Sequence, residues 1–191
     1  MDKNSQKPKL LANPKILAYV LIFIEAMIQL FGGIYYEQTS QFVWDLGNAI
    51  IILVPLLFGL KLGLLCLLST AISEIFWFIK QKTAGPLLHL ASFTITVVIL
   101  GAAHEKIEKC SFPKRVVLRV VLYELFLLGE EVLYGLFIKL VLDLPITWER
   151  VSGTFLSPAN PLLLLVLLAY CVWEKSLAED GNQDRLQRNG S

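Results

Sequence analysis

Six long apolar stretches divide this chain, and their length restricts how it can fold more than any other feature. They cover residues 16–34, 42–60, 62–79, 86–103, 116–140 and 161–173. A helix needs about 20 mainly apolar residues, and about 17 at the least, to cross the hydrocarbon core of a bilayer. Five stretches reach that length, and the sixth is shorter. Because 55% of the residues are hydrophobic, the chain is also too apolar for an ordinary soluble domain. We therefore predict an all-α membrane protein, a bundle of six transmembrane helices.

The stretches are predicted to be helices because they lack the features of barrel strands. Such strands have about 9–11 residues and alternate polar with apolar side chains, whereas these stretches are longer and do not alternate. Three parts follow: a cytoplasmic N-terminal segment (1–15), a six-helix transmembrane domain (16–175) and a polar, disordered cytoplasmic tail (176–191).

The positive charges predict an orientation. Lys and Arg favour the cytoplasmic side of short membrane loops. With the N-terminus inside, 13 of the 17 Lys and Arg residues lie on the cytoplasmic side, and the other four are Lys80, Lys82, Lys139 and Arg150. We therefore expect both termini in the cytoplasm and a multi-pass protein of the cell membrane.

Acidic and amide side chains interrupt the apolar stretches, mostly near the predicted outer face. This polar layer consists of Gln29, Asp45, Asn48, Glu74, His89, Glu130, Glu131 and Asn160. Ionisable groups are costly in hydrocarbon and are read as functional until another explanation is found. The layer therefore predicts a binding cavity that opens to the outside.

Some members of the layer also have structural explanations. Asn160 before Pro161 fits a helix N-cap followed by proline at the first helical position. His89 fits a packed, hydrogen-bonded histidine, and Asp45 fits a residue in the headgroup region. For these three residues the structural and the functional interpretations both remain open.

Glu74, Glu130 and Glu131 are harder to explain structurally, because each needs a partner, a proton or a wet cavity inside a span. Adjacent helix residues point about 100° apart, so Glu130 and Glu131 are not expected to face the same cavity centre. One of them would face a neighbouring helix or a partner protein.

Several classes of function are disfavoured. The net charge of +1 gives no reason to expect a nucleic-acid partner, and three scattered cysteines form neither a disulfide framework nor a metal-binding spacing. The segment 130–135 resembles part of the EExxxR motif of CAAX-type intramembrane proteases. Gly135 replaces the arginine, however, and no histidine follows. We therefore expect no enzyme, no cofactor and no metal, with a glutamate-dependent intramembrane protease as a remote alternative.

The layout resembles the substrate-binding S component of energy-coupling factor (ECF) vitamin transporters. The segment 42–63, which ends in Gly59-Leu60-Lys61-Leu62-Gly63, is similar to the second-to-third helix hairpin of that family. Gly101 followed by the basic segment 106–119 resembles the end of its fourth helix, and Asn160-Pro161 resembles the start of its last helix. The resemblance implies a vitamin-binding subunit whose outward cavity is gated by the loops after spans one, three and five. It also implies a separate transmembrane scaffold subunit and ATPase subunits as partners.

The sequence thus predicts capture of a small ligand. The acidic residues suggest that it is cationic or rich in hydrogen-bond donors, and the resemblance implies that it is vitamin-like, for example thiamine-like. Aromatic side chains near the same face could stack on such a ligand. The candidate ligand-binding residues are Glu37, Trp44, Asp45, Asn48, Glu74, Trp77, Glu130, Glu131 and Asn160. The alternative is a non-transporting membrane scaffold resembling the rod-shape-determining proteins, in which these polar groups mediate helix or partner contacts.

Overall fold

The computed structural model describes residues 13–34, 41–145 and 156–189. Within these ranges the chain is helical and contains no strand. The six helices are α1 (Pro14–Ile34), α2 (Gln41–Phe58), α3 (Leu60–Gln81), α4 (Gly85–Glu108), α5 (Phe112–Leu142) and α6 (Ala159–Asn189). The all-α architecture agrees with the sequence-based prediction, and each predicted stretch lies within one of these helices or overlaps it.

Five of the six helices are long and apolar enough to cross a membrane, which indicates a multi-pass membrane protein. The exception in the described part of the chain is α5. It is long enough, but it carries seven Asp, Glu, Lys or Arg residues between 112 and 142. Length and composition alone therefore support five spans rather than the six that we predict from the sequence.

The surface of α5 explains how a charged helix fits in this bundle. Its buried side chains include Arg119, Tyr123, Glu130, Glu131 and Tyr134, which form a polar stripe. Between residues 115 and 138 its exposed side chains are apolar: Val117, Val121, Leu125, Leu128 and Leu136. The exposed lysines, Lys114 and Lys139, lie near its two ends. A surface helix of a soluble protein shows the opposite arrangement. The polar stripe of α5 therefore belongs to the interior of the bundle.

Helix α2 lies at the centre and packs against α1, α3, α4, α5 and α6. Every residue from 49 to 57 is buried, and the segment is uniformly apolar. A helix that is hydrophobic on all sides is expected to be surrounded by other helices. Because α2 is enclosed in this way, it sets the positions of the helices around it.

A tight turn at Gly59 joins α2 to α3. Gly59 has a φ of 84°, a left-handed conformation that glycine adopts without steric cost. Gly63 lies so close to α2 that a Cβ atom there would be 2.6 Å from Pro55 Cβ. Similarly, a Cβ atom on Gly101 would be 2.6 Å from Leu60 Cα. These glycines let α2, α3 and α4 pack tightly at one end of the bundle.

The C-terminal segment differs from the prediction. The sequence predicts a disordered tail from residue 176, whereas α6 continues to Asn189. Polar composition argues against a packed core but does not prevent a helix from continuing beyond an apolar span. Lys175 and Glu179, one turn apart, form an ion pair of 3.6 Å that supports this extension.

Candidate ligand-binding cavity

A cavity of about 780 Å³ lies at one end of the bundle. Its walls come from the C-terminal halves of α1, α3 and α5 and the N-terminal halves of α2 and α4. The polar and aromatic side chains that line it are Gln29, Gln41, Trp44, Asn48, Ser73, Glu74, Trp77, Gln81, Thr83, His89, Glu131 and Tyr134. Successive helices therefore run in opposite directions. Five members of the predicted polar layer line this one cavity: Gln29, Asn48, Glu74, His89 and Glu131.

A row of polar side chains crosses the cavity wall from α3 to α5. The Nδ1 atom of His89 lies 2.7 Å from Glu74 Oε1, and its Nε2 atom lies 3.7 Å from Glu130 Oε1. Ser92 Oγ lies 2.6 Å from the same oxygen of Glu130. His89 therefore stands between two carboxyl groups that come from different helices.

Aromatic rings hold this imidazole in place. The ring of His89 lies 4.5 Å from that of Phe93 and 4.7 Å from that of Tyr134, measured between centroids. On the other wall, Gly32 leaves room for Trp44, since a Cβ atom on Gly32 would be 2.9 Å from the indole. The cavity thus combines carboxylates with flat apolar surfaces.

Five of the predicted ligand-binding residues line the cavity: Trp44, Asn48, Glu74, Trp77 and Glu131. These residues come from α2, α3 and α5, and the sequence places them in separate spans. Their convergence is the main agreement between the predicted site and the structure.

Three other predicted residues lie elsewhere. Asp45 is buried, does not line the cavity and accepts a hydrogen bond of 2.8 Å from Gln41. Asn160 lies in the first turn of α6, and its Nδ2 donates a hydrogen bond of 3.1 Å to Glu124. This position inside the helix also differs from the N-cap interpretation. Glu130 supports the wall behind His89, and Glu37 lies outside the described residues.

The structure places both Glu130 and Glu131 inside the bundle, although adjacent helix residues diverge. Glu131 lines the cavity, while Glu130 points toward Ser92 and His89 on α4. The cavity borders one side of α5 and α4 borders another. Side chains that point about 100° apart from α5 can therefore both lie in the interior of the bundle. The expectation that one of the pair faces a neighbouring helix agrees with this arrangement.

The predicted site omits His89, which the structure places at the centre of the wall. The sequence contains a signal for this role. The polar layer holds three glutamates, and His89 is the member of that layer able to carry a positive charge. Gln29, Gln41 and Tyr134 also line the cavity without being among the predicted site residues.

The electrostatic character of the cavity is acidic. Glu74 and Glu131 reach its surface, Glu130 lies behind them, and His89 offers at most one positive charge. Carboxylates in a poorly solvated space attract a cation or a group rich in hydrogen-bond donors. Lys80, at the end of α3, has its ammonium group 4.6 Å from the Trp77 ring, and its side chain is exposed.

The opposite end of the bundle contains a different charge cluster. Arg115 and Arg119 on α5 both bond Glu108 on α4 and Glu174 on α6. The guanidinium of Arg119 is fully buried, and the Arg115–Glu174 pair is 2.5 Å long. We call these four residues the arginine–glutamate cluster. Two cations here match two anions.

A smaller cavity of about 360 Å³ borders this cluster. Its walls include Lys15 at the start of α1, His104 near the end of α4, and Trp173 on α6. The start of α1 and residues 170–177 of α6 therefore lie at the same end of the bundle. His104 Nδ1 lies 3.0 Å from the carbonyl oxygen of Leu56, in the last turn of α2.

The fold and the cavity define an all-helical, multi-pass membrane protein with an acidic, aromatic-lined cavity at one end. Comparison with protein-family models, curated protein sequences and solved structures finds no match to this chain.

Proposed function

We propose that this protein is a membrane-embedded solute-binding subunit of an uptake transporter, and that it takes up a small cationic ligand. The observation that carries the proposal is the cavity of about 780 Å³ lined by Glu74, Glu131, Trp44, Trp77 and Tyr134. Ligand cavities for small molecules measure about 300–1,000 Å³ and combine aromatic walls with a few polar groups. The acidic groups supply the attraction for the cation, and the rings supply surfaces on which it can stack.

The proposal places all six helices across the membrane, with the cavity open to the outside. Two observations support a sixth span through α5. Its polar stripe is buried, and its exposed side chains between residues 115 and 138 are apolar, as a bilayer requires. The distribution of Lys and Arg supports cytoplasmic termini, because most of those in the described residues lie toward the end of the bundle that holds the arginine–glutamate cluster.

The proposal also assigns the energy source to other proteins. The sequence contains no phosphate-binding loop, so ATPase subunits and a transmembrane scaffold subunit would be separate chains. This part depends on the resemblance to the S components of ECF transporters. Affinity purification from the native membrane tests it: co-purified ATPase subunits would support the transporter, and cell-wall or division proteins would support the scaffold alternative.

Binding measurements on purified protein test the central proposal. A panel of labelled vitamins and metal ions is titrated against the protein, and we expect a cationic member such as thiamine to bind. Glu74→Gln should weaken that binding by at least about tenfold, because it removes a charge from a poorly solvated site. Glu105→Gln is the matched control, since Glu105 is exposed near the other end of α4. Absence of binding across the whole panel would contradict the proposal.

Cysteine labelling tests the orientation. With Cys66 and Cys171 replaced by Ala, Cys110 reports on the segment between α4 and α5. We expect an impermeant maleimide to label Cys110 only after cells are opened. A Thr83→Cys variant without the native cysteines should react in intact cells, because Thr83 lies between α3 and α4. Labelling of Cys110 in intact cells would reverse the proposed orientation.

A further inference from the structure

A carboxyl group at the base of the cavity takes no part in the proposed ligand binding. Glu25 on α1 is 0% exposed. Gln29, one turn further along the same helix, lines the cavity. Among the described residues, no Lys, Arg or His forms an ion pair with Glu25. An ionised carboxylate without a cation is costly in such a place.

The partners of Glu25 are hydroxyl groups of α3. Thr70 Oγ1 donates a hydrogen bond of 2.8 Å to Glu25 Oε1. Ser69 Oγ contacts the other carboxyl oxygen, Oε2. The same Ser69 oxygen lies 2.7 Å from the carbonyl oxygen of Cys66, three residues earlier in the helix. Ser69 Oγ therefore has two close oxygen neighbours.

The number of protons on Ser69 and Glu25 determines which oxygen donates in each of these hydrogen bonds. A serine hydroxyl carries one proton, and a carbonyl oxygen carries none. Each close oxygen–oxygen contact needs a proton between the two atoms, because lone pairs facing each other repel. If the Ser69 proton goes to the Cys66 carbonyl, the contact between Ser69 and Glu25 requires a second proton. The carboxyl group is the group able to supply it.

We propose that Glu25 is a proton-binding site and holds its proton as a neutral carboxylic acid, with Ser69 and Thr70 as hydrogen-bond partners. In this arrangement Glu25 Oε2 donates to Ser69 Oγ, Ser69 donates to the Cys66 carbonyl, and Thr70 donates to Glu25 Oε1. Each contact then has one proton.

Few other titratable groups face this site from the helices packed against α1. Helix α3 contributes Cys66, whose thiol is buried beside Glu25, and Glu74, which bonds His89. Helix α2 contributes Asp45, which accepts a hydrogen bond from Gln41 at the mouth of the cavity. None of these groups is a cation that could replace the proton.

The position below Gln29 also suggests a linkage between the proton and the cavity. This step rests on the proposed function. A cation that enters the cavity next to Gln29 favours the ionised form of Glu25, so its binding should be accompanied by release of the proton.

Infrared spectroscopy of the purified protein tests the proton site without any ligand. We expect the wild-type spectrum at neutral pH to contain a protonated-carboxyl C=O band that Glu25→Gln removes. Glu179→Gln, at an exposed carboxylate, is the control and should remove no such band. If Glu25→Gln also removes none, the proposal is wrong. Should that variant fail to fold, Ser69→Ala keeps the acid and must shift the band, and an unshifted band would overturn the proposal.

Thermal unfolding provides a second readout. Glutamine imitates the neutral acid, because its amide can donate to Ser69 and accept from Thr70. Raising the pH should therefore lower the Tm of the wild type by at least about 4 °C more than that of Glu25→Gln. Equal pH dependence in the two proteins would overturn the proposal. So would stabilisation of the wild type by sodium over potassium, which would indicate a metal ion instead.

Calorimetry tests the linkage with thiamine as the cationic probe. Titrations in two buffers of different ionisation enthalpy count the protons released. We expect release approaching about one proton per bound cation in the wild type and none from Glu25→Gln. Equal proton release from both proteins would disprove the linkage between Glu25 and cation binding. The infrared measurement would still test the proton site by itself. If thiamine and the other cations of the panel do not bind, the proposed function fails separately.

Discussion

At one end of the bundle, two arginines alternate with two glutamates, whereas at the other end three glutamates surround His89. The first group forms a closed network in which each charge has a partner from another helix. The second group lines an open cavity and has an excess of acid. Both ends bury polar groups that are costly in hydrocarbon.

The difference teaches how two polar clusters in one bundle can serve different purposes. The arginine–glutamate cluster joins α4, α5 and α6, so its charges are used within the fold. Around the cavity, Glu74 and Glu131 line the wall, and the glutamates of this end outnumber its one histidine. An acidic wall attracts a cationic ligand, and this is why we assign ligand binding to the cavity end.

The largest expected effect comes from removing a cation from the balanced cluster. Arg119→Met should destabilise the protein by about 3 kcal/mol, because Glu108 and Glu174 lose a buried partner. Both glutamates are partly exposed, so the expected cost lies at the lower end of the range for buried ion pairs. Denaturation in detergent measures this loss. Lys175→Ala, at an exposed ion pair, is the control and should change stability by less than about 0.5 kcal/mol. A similar result for both variants would show that the cluster is not structural.

Removing one acid from each end sharpens the comparison. Glu108→Gln should cost about 1–2 kcal/mol, because it weakens bonds to two arginines. Glu74→Gln should change stability by less than about 0.5 kcal/mol, since the amide oxygen can still accept from His89 and acidic repulsion falls. Thermal unfolding of both variants beside the wild type checks this. Equal destabilisation would remove the distinction between the two ends.

Packing should also be tighter at the end with the arginine–glutamate cluster than at the cavity end. Gly101→Ala should destabilise by about 1–3 kcal/mol, because its Cβ would meet the Leu60 backbone at 2.6 Å. Gly85→Ala, at the cavity end, should be neutral or stabilising by up to about 1 kcal/mol, because its nearest neighbour would be the Tyr134 hydroxyl at 3.6 Å. Unfolding free energies of the two variants test this, and a larger cost for Gly85→Ala would contradict it.

The smallest effect is expected at the mouth of the cavity. Lys80→Ala should raise the affinity for a cationic ligand by about two- to fivefold, because it frees the Trp77 ring and removes a like charge. Titration calorimetry measures the change. Lys139→Ala, an exposed lysine on α5, is the control and should leave affinity unchanged. A fall in affinity for Lys80→Ala would mean that the lysine contributes to binding.

Much of the fold could be read from the sequence because apolar length and glycine spacing act locally. The predicted stretch 16–34 corresponds to α1 at Pro14–Ile34, and the turn at Gly59 follows from residues next to each other. The end of α6 was not predictable in this way. Polar composition says that a segment lacks a core, but it does not decide whether an existing helix stops.

The candidate site was predictable in part. Residues that share a depth can be grouped by counting along each span, and this grouping brings together Trp44, Asn48, Glu74 and Glu131. The rotation of each helix cannot be obtained by counting. For that reason Asp45 and Asn160 were included although they face other partners, and His89 was left out although it lies between Glu74 and Glu130.

The sequence by itself determined that the chain is an all-helical membrane protein whose acidic groups lie mostly at one level, because both properties follow from hydrophobic length and position along a span. Only the tertiary structure decided which polar groups pair across helices and which line the cavity. Helix rotation and packing are set by contacts between distant residues, such as Gly101 with Leu60 or Glu25 with Ser69. Those contacts separate the balanced charges of one end from the unbalanced charges of the other.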